Sequence, residues 1–152
     1  MHFNTMHGKT SYILFNLSIC IFILIIQALA GCYFWYWSIK WLDIFMHILG
    51  GVFIGSISLY LYYYSGYIAP KHFSHLSSLF VALSGTALIG IFWEFFEYVV
   101  DEYITVSGWL LLEGGVKDLL SDLFNDLLGS AVASIIFISI WKKDLKSVST
   151  AE

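Results

Sequence analysis

Long apolar stretches, separated by short polar and aromatic clusters, set the pattern of this chain. Four of them reach the roughly 20 residues a helix needs to cross bilayer hydrocarbon. The first runs from Tyr12 to Ala30, with Asn16 and Gln27 as its polar exceptions. The second spans about Trp41 to Tyr64, the third about Leu76 to Val100, and the fourth about Leu119 to Trp141. Between the first two, Tyr33, Phe34, Trp35, Tyr36 and Trp37 form the aromatic belt expected where headgroups meet hydrocarbon. Tyr60, Tyr62, Tyr63, Tyr64 and Tyr67 supply a second belt, and Pro70 breaks the chain there. The longest connection, residues 101–118, carries Gly108, Gly114 and Gly115 around an amphipathic stretch from Trp109 to Glu113, read as a segment on the membrane surface. The pattern predicts an all-α polytopic membrane protein: four transmembrane helices with a short interfacial segment between the third and fourth. Residues 12–141 form the membrane domain, and residues 1–11 and 142–152 form two cytoplasmic tails.

Composition removes the alternatives. The chain of 152 residues is 59% hydrophobic, 19% aromatic and 12% charged. A soluble domain carries about 25% charged residues, and so short a globule has too little interior to hide this much apolar surface. Cys20 and Cys32 are the only cysteines and lie in or beside an apolar run, so a disulfide scaffold is excluded. The net charge is −4, and all 7 basic residues are lysines. Without arginine to grip phosphate in a two-pronged hydrogen bond, nucleic acid is not a partner.

Lysine placement orients the spans. Lys9, Lys71, Lys142, Lys143 and Lys146 fall on the side of the termini, whereas only Lys40 and Lys117 fall on the other. The positive-inside rule puts both termini in the cytoplasm of a cell-membrane protein. The box Leu29, Ala30, Gly31, Cys32 resembles a lipoprotein cleavage site, which would remove the first span and lipidate Cys32. A single preceding lysine and an apolar run longer than a signal's core argue for retention.

The acidic residues change the picture most. Asp43 and His47 are four apart at the start of the second span. Glu94, Glu97 and Asp101 follow at spacings of three and four at the end of the third, and Asp118, Asp122 and Asp126 at spacings of four at the start of the fourth. In an alternating path these three helix ends share one leaflet. At about 1.5 Å per residue, His47, Glu94 and Asp126 lie roughly 7–11 Å inside their ends. The spacings place each set on one helical face. Those faces continue into small residues that let membrane helices approach closely: Gly50 and Gly51, Gly90 and Thr86, Gly129 and Ala133. Asn125 lies about 100° away around the wheel.

A carboxylate at membrane depth costs about 2.5–3.5 kcal/mol, and several in one pocket repel one another unless protons or a cation neutralise them. Carboxylates with one imidazole suit Mg²⁺, Mn²⁺ or Zn²⁺. The candidate metal ligands are His47, Glu94, Glu97, Asp122 and Asp126. Asp43 either orients His47 or joins the metal, and Asp43 and Glu97 are the candidate catalytic carboxylates. Simpler readings stand beside these. Asp101 and Asp118 fit solvated helix ends, Asp118 and Asp43 fit helix capping, and His47 fits a plain hydrogen bond between helices. His72 and His75 make a two-residue cluster better read as interfacial packing, while His2 and His7 belong to a polar tail.

Three motifs in order carry a resemblance: Trp41, Asp43, His47, Gly50 and Gly51; then Trp93, Glu94 and Glu97; then Asp118, Asp122, Asn125, Asp126 and Gly129. Over about residues 41–134 the chain resembles the YjdF-like inner-membrane family and the related VanZ-like proteins, leaving the first span and the C-terminal tail outside. The resemblance implies a small multi-pass membrane protein in which the acidic residues are the shared feature.

The resulting expectation is a cation site in the outer leaflet. As an enzyme, the protein would be a metal-dependent hydrolase or transferase acting on lipid-linked phosphate. Otherwise it would be an ion- or proton-binding carrier, or an assembly subunit of a membrane complex. Membrane lipid, a lipid-linked or small-molecule ligand, a second copy of the chain or a membrane-complex partner are the partners considered.

Overall fold

A computed structural model of the chain describes residues 2–68, 70, 73–105 and 115–141, with side chains at all of these but residues 2–7, 101, 104 and 105. The described residues form α1 (His2–Tyr33), α2 (Trp35–Ser38), α3 (Leu42–Tyr63), α4 (His75–Val99) with a π-helical turn at Val100–Thr105, and α5 (Val116–Ile140). Four of these helices are long and apolar enough to cross a membrane, and no strand occurs among the described residues. The surface segment expected at Trp109–Glu113 lies outside the described residues, as do His72, the side chains of His2, His7 and Asp101, and Lys142, Lys143 and Lys146.

Local chemistry sets the breaks. Phe34 sits at φ 54°, the left-handed region that stops a helix, and α2 restarts immediately after it. Beyond α3, Gly66 at φ 84° and Pro70 end helical continuation. Ser74 caps α4, its hydroxyl accepting from the Ser77 amide at 3.3 Å. At α5 the capping position belongs to Gly115 at φ 59°, not to Asp118. Asp118 instead stands in the first turn, where its charge still favours the positive end of the helix dipole. Asp43 likewise follows the cap of α3, which is Trp41.

Helices α3, α4 and α5 form the packed bundle. The tightest approach joins α3 to α5: a Cβ added at Gly51 would fall on the Asp126 carbonyl, and one at Gly129 on the Ile48 carbonyl. Neither position therefore takes a side chain without pushing two backbones apart. The expected small-residue faces do meet. Helix α1 stays at the margin, with only 6% of its most apolar stretch buried against 39% in α5. It packs along α3 and reaches the end of α5 through Tyr12, whose ring meets Trp141 edge-on at 4.7 Å and Phe137 at 5.4 Å, and through Phe15, 5.4 Å from Trp141. Tyr12, Leu59, Ala82, Phe137 and Trp141 form a buried hydrophobic cluster at the end of the bundle remote from the acidic residues.

Candidate metal centre

His47, one turn into α3, is the hub. Its Nδ1 lies 3.3 Å from Asp126 Oδ1 of α5. Its Nε2 lies 3.8 Å from Asp43 Oδ1, one turn earlier on α3, and 4.0 Å from Asp122 Oδ1 of α5. Asp126 thus faces Nδ1 while Asp43 and Asp122 face Nε2, so carboxylates flank both ring nitrogens. Asp126 itself is seated over glycine: a Cβ at Gly90 would stand 2.7 Å from its Oδ2, and one at Gly50 3.8 Å from its Oδ1. Any side chain at Gly90 would displace the carboxylate that orients the imidazole.

Helix α4 contributes Glu94 and Glu97, three apart on the buried face. Glu94 is 3% exposed, and neither of its carboxylate oxygens has a hydrogen-bond partner. An ionisable group sealed from solvent without a partner is expensive and rare. Two sets of side chains bring one ligand atom each to within 4.8 Å of one another: Asp43, His47 and Asp122, and His47, Glu94 and Glu97. Ligands about 2.0–2.3 Å from a common ion sit at comparable mutual distances. The cluster can thus hold a metal after small side-chain adjustments. The two sets adjoin through His47, the one residue they share.

The structure therefore brings together all six candidates named from the sequence. His47, Glu94, Glu97, Asp122 and Asp126 are buried, and Asp43 is the exposed member, with 42% of its side chain accessible. Asp126 stands outside both candidate ligand sets and contacts the imidazole instead. Asn125 is buried but donates to Ser121 of its own helix at 3.4 Å. Among the described residues, the ion pairs that reach these carboxylates all come from His47, so no lysine balances their charge. His75 packs its ring edge-on against Phe73 at 5.2 Å, away from this centre.

A cleft of about 350 Å³ opens from the centre. Asp43, His47, Glu97 and Asp126 line one part of it, with Gln27 of the first span and Tyr36 of the aromatic belt. The Tyr36 hydroxyl donates to Gln27 Oε1 at 2.5 Å. Burial, and then the neighbouring Asp43, push the Tyr36 phenol up to about 12, so it remains a neutral donor at any physiological pH. A glutamine inside a mainly apolar span is the signal in the sequence for this pair.

An all-helical multi-pass membrane protein with a buried carboxylate–imidazole cluster is the class so defined. The chain belongs to the family described as predicted membrane protein (DUF2238), whose model matches residues 11–144; this is the YjdF family. The match corrects the extent read from the motifs: the first span and the start of the C-terminal tail belong to the family region as well. No curated protein and no solved structure matches the chain.

Proposed function

We propose that this protein binds one divalent cation, Mg²⁺, Mn²⁺ or Zn²⁺, among helices α3, α4 and α5. The observation that carries this reading is Glu94: a buried carboxylate with two unpartnered oxygens, beside an imidazole and a second buried glutamate. A cation supplies the missing partner and offsets the repulsion among Glu94, Glu97, Asp122 and Asp126. In this reading Nε2 of His47, Glu94, Glu97 and Asp122 ligate the ion. Asp126 plays the outer role of holding the His47 tautomer, an arrangement common around metal-bound histidine. The half-exposed Asp43 is placed to ligate or to take a proton.

With the ion bound, the chemistry proposed is hydrolysis or transfer at a lipid-linked phosphate. The metal would polarise the phosphoryl oxygen and acidify a water, with Asp43 or Glu97 accepting the proton. The lysine distribution supports an orientation with both termini cytoplasmic and the centre in the outer half of the membrane. The proposed kinship with VanZ-like proteins rests on the same three ordered motifs. Metal analysis of the detergent-purified protein before and after chelation tests the centre. Stoichiometric metal, lost together with thermal stability on chelation, is the expected result; no metal and no change in stability would overturn it.

A specific observation also favours a second, non-enzymatic reading. The buried hydroxyls of Thr86, Ser130 and Ser134 lack hydrogen-bond partners and continue from the acidic centre along α4 and α5. A run of such hydroxyls is what an ion- or proton-binding carrier would use. Cation flux into liposomes that is lost in Glu94→Gln would support the carrier. Absence of flux in the parent protein would remove it.

A further inference from the structure

The cleft beside the centre is two-sided. Its apolar wall is built by Ile23 and Leu24 of α1, Phe53 and Ile54 of α3, and Ile89 and Trp93 of α4. Its polar part is the carboxylate–imidazole centre with the Gln27–Tyr36 pair. The cleft exists because α1 leans on α3 without packing along α4. Leu24, Ile89 and Trp93 remain 61%, 45% and 45% exposed. All three belong to spanning helices, so this opening faces hydrocarbon. A water-soluble ligand would have to cross lipid to enter by that side; a lipid would not.

We propose that the cleft between α1 and α4 is the lateral entry and seat of a phosphate-headed lipid, one hydrocarbon chain lying along the apolar wall and the phosphate reaching the centre. This assignment rests on the cation reading above and names its substrate class. Three physical points select this occupant. The volume falls at the low end of the roughly 300–1,000 Å³ range of ligand pockets. That is room for one chain segment and a head, with the rest of the lipid left in the bilayer. Lipid tails are as apolar as the cleft wall, so the chain gains little by entering, and affinity must come from the head. The head meets carboxylates and no lysine or arginine, so an anionic phosphate binds only through the cation, the mode in which Mg²⁺-type ions combine a few protein carboxylates with substrate phosphate. The Gln27–Tyr36 pair then offers a neutral donor at the head, where another negative charge would repel it.

The test uses full-length protein in detergent, Mn²⁺ as the metal, and phosphatidic acid, diacylglycerol and inorganic phosphate as probes. Retained lipid is read by native mass spectrometry and bound Mn²⁺ by electron paramagnetic resonance. Phosphatidic acid should be retained about tenfold better with Mn²⁺ than with chelator, and about tenfold better than diacylglycerol. Ile89→Trp and Leu24→Trp, both at the lipid-facing mouth, should each lower that retention by about tenfold through overfilling, while Mn²⁺ affinity stays within about twofold of the parent. Unchanged Mn²⁺ affinity also reports that the variants are folded. Mn²⁺ bound with no preference for phosphatidic acid, or with inorganic phosphate alone, overturns the lipid assignment and leaves the metal centre standing. Retention equal in Mn²⁺ and chelator, or untouched by both tryptophans, also overturns it. Failure to bind Mn²⁺ at all removes the metal centre and this assignment with it.

Discussion

At the end of the bundle near Trp141, several buried polar groups pair with one another. The Tyr12 hydroxyl donates to the Ser56 carbonyl at 3.0 Å, and the Ser56 hydroxyl donates back to Tyr12 at 2.8 Å. The hydroxyls of Tyr63 and Ser78 pair at 2.8 Å, and Phe137 closes the cluster against the Tyr63 ring at 5.2 Å. At the other end, one imidazole faces three aspartates at 3.3–4.0 Å, and Glu94 is buried with both oxygens unpartnered. Both ends bury polar atoms, with opposite consequences. The aromatic end gains stability from its own ring contacts and from the hydroxyl pairs of Tyr12 with Ser56 and Tyr63 with Ser78. The acidic end gathers carboxylates around a single imidazole, with no lysine paired to them among the described residues, the pattern expected where stability is given up for function.

The largest effect that would break this contrast comes from the aromatic end. Phe137→Ala should cost about 3–5 kcal/mol, the range for emptying a buried aromatic site, measured by reversible unfolding in mixed micelles. A cost below about 1 kcal/mol would show that the cluster does not anchor the bundle. Next comes the gain from metal at the acidic end. A divalent cation at about one hundred times its dissociation constant should stabilise the parent by about 2.7 kcal/mol. Glu94→Gln should abolish that gain and, without metal, leave the protein about 1 kcal/mol more stable than the parent, since it removes an uncompensated buried charge. A metal-free Glu94→Gln less stable than the parent would place Glu94 with the structural residues. The smallest effect sharpens the comparison: Tyr12→Phe keeps the ring and loses the hydroxyl, and should cost about 1 kcal/mol in the same unfolding measurement. Metal binding should not respond to it, because Tyr12 and His47 belong to opposite ends.

Much of this was legible from particular residues. The spans read from hydropathy end within a few residues of α3, α4 and α5, because bilayer thickness fixes how long an apolar helix must be. Helix α1 departs most: it continues back to His2, since helical hydrogen bonding does not stop where hydropathy falls. The three- and four-residue spacings put Asp43 with His47, Glu94 with Glu97 and Asp122 with Asp126 on common faces, and the glycines marked where those faces touch. The exchange of roles between Asp43 and Asp126 around His47 was not legible. Both are carboxylates within reach of one imidazole, and only the rotation of α5 against α3 puts Asp126 on Nδ1. Thr86 stood in the sequence as one more small residue; its orphaned hydroxyl appears only when the neighbours are in place.

Sequence alone determined the solvent of this protein, the number of its crossings and the depth at which its charges lie, because each follows from how many apolar residues run consecutively and where they stop. Tertiary structure decided which carboxylate steadies the imidazole, which is left without a partner, and that α1 stands away from α4 to leave a cleft. Lipid and protein interior are equally apolar, so composition cannot tell a helix face that meets a neighbour from one that meets a lipid tail. The angle at which each helix is turned makes that choice, and short-range contacts such as that of Gly51 with the Asp126 carbonyl set the angle.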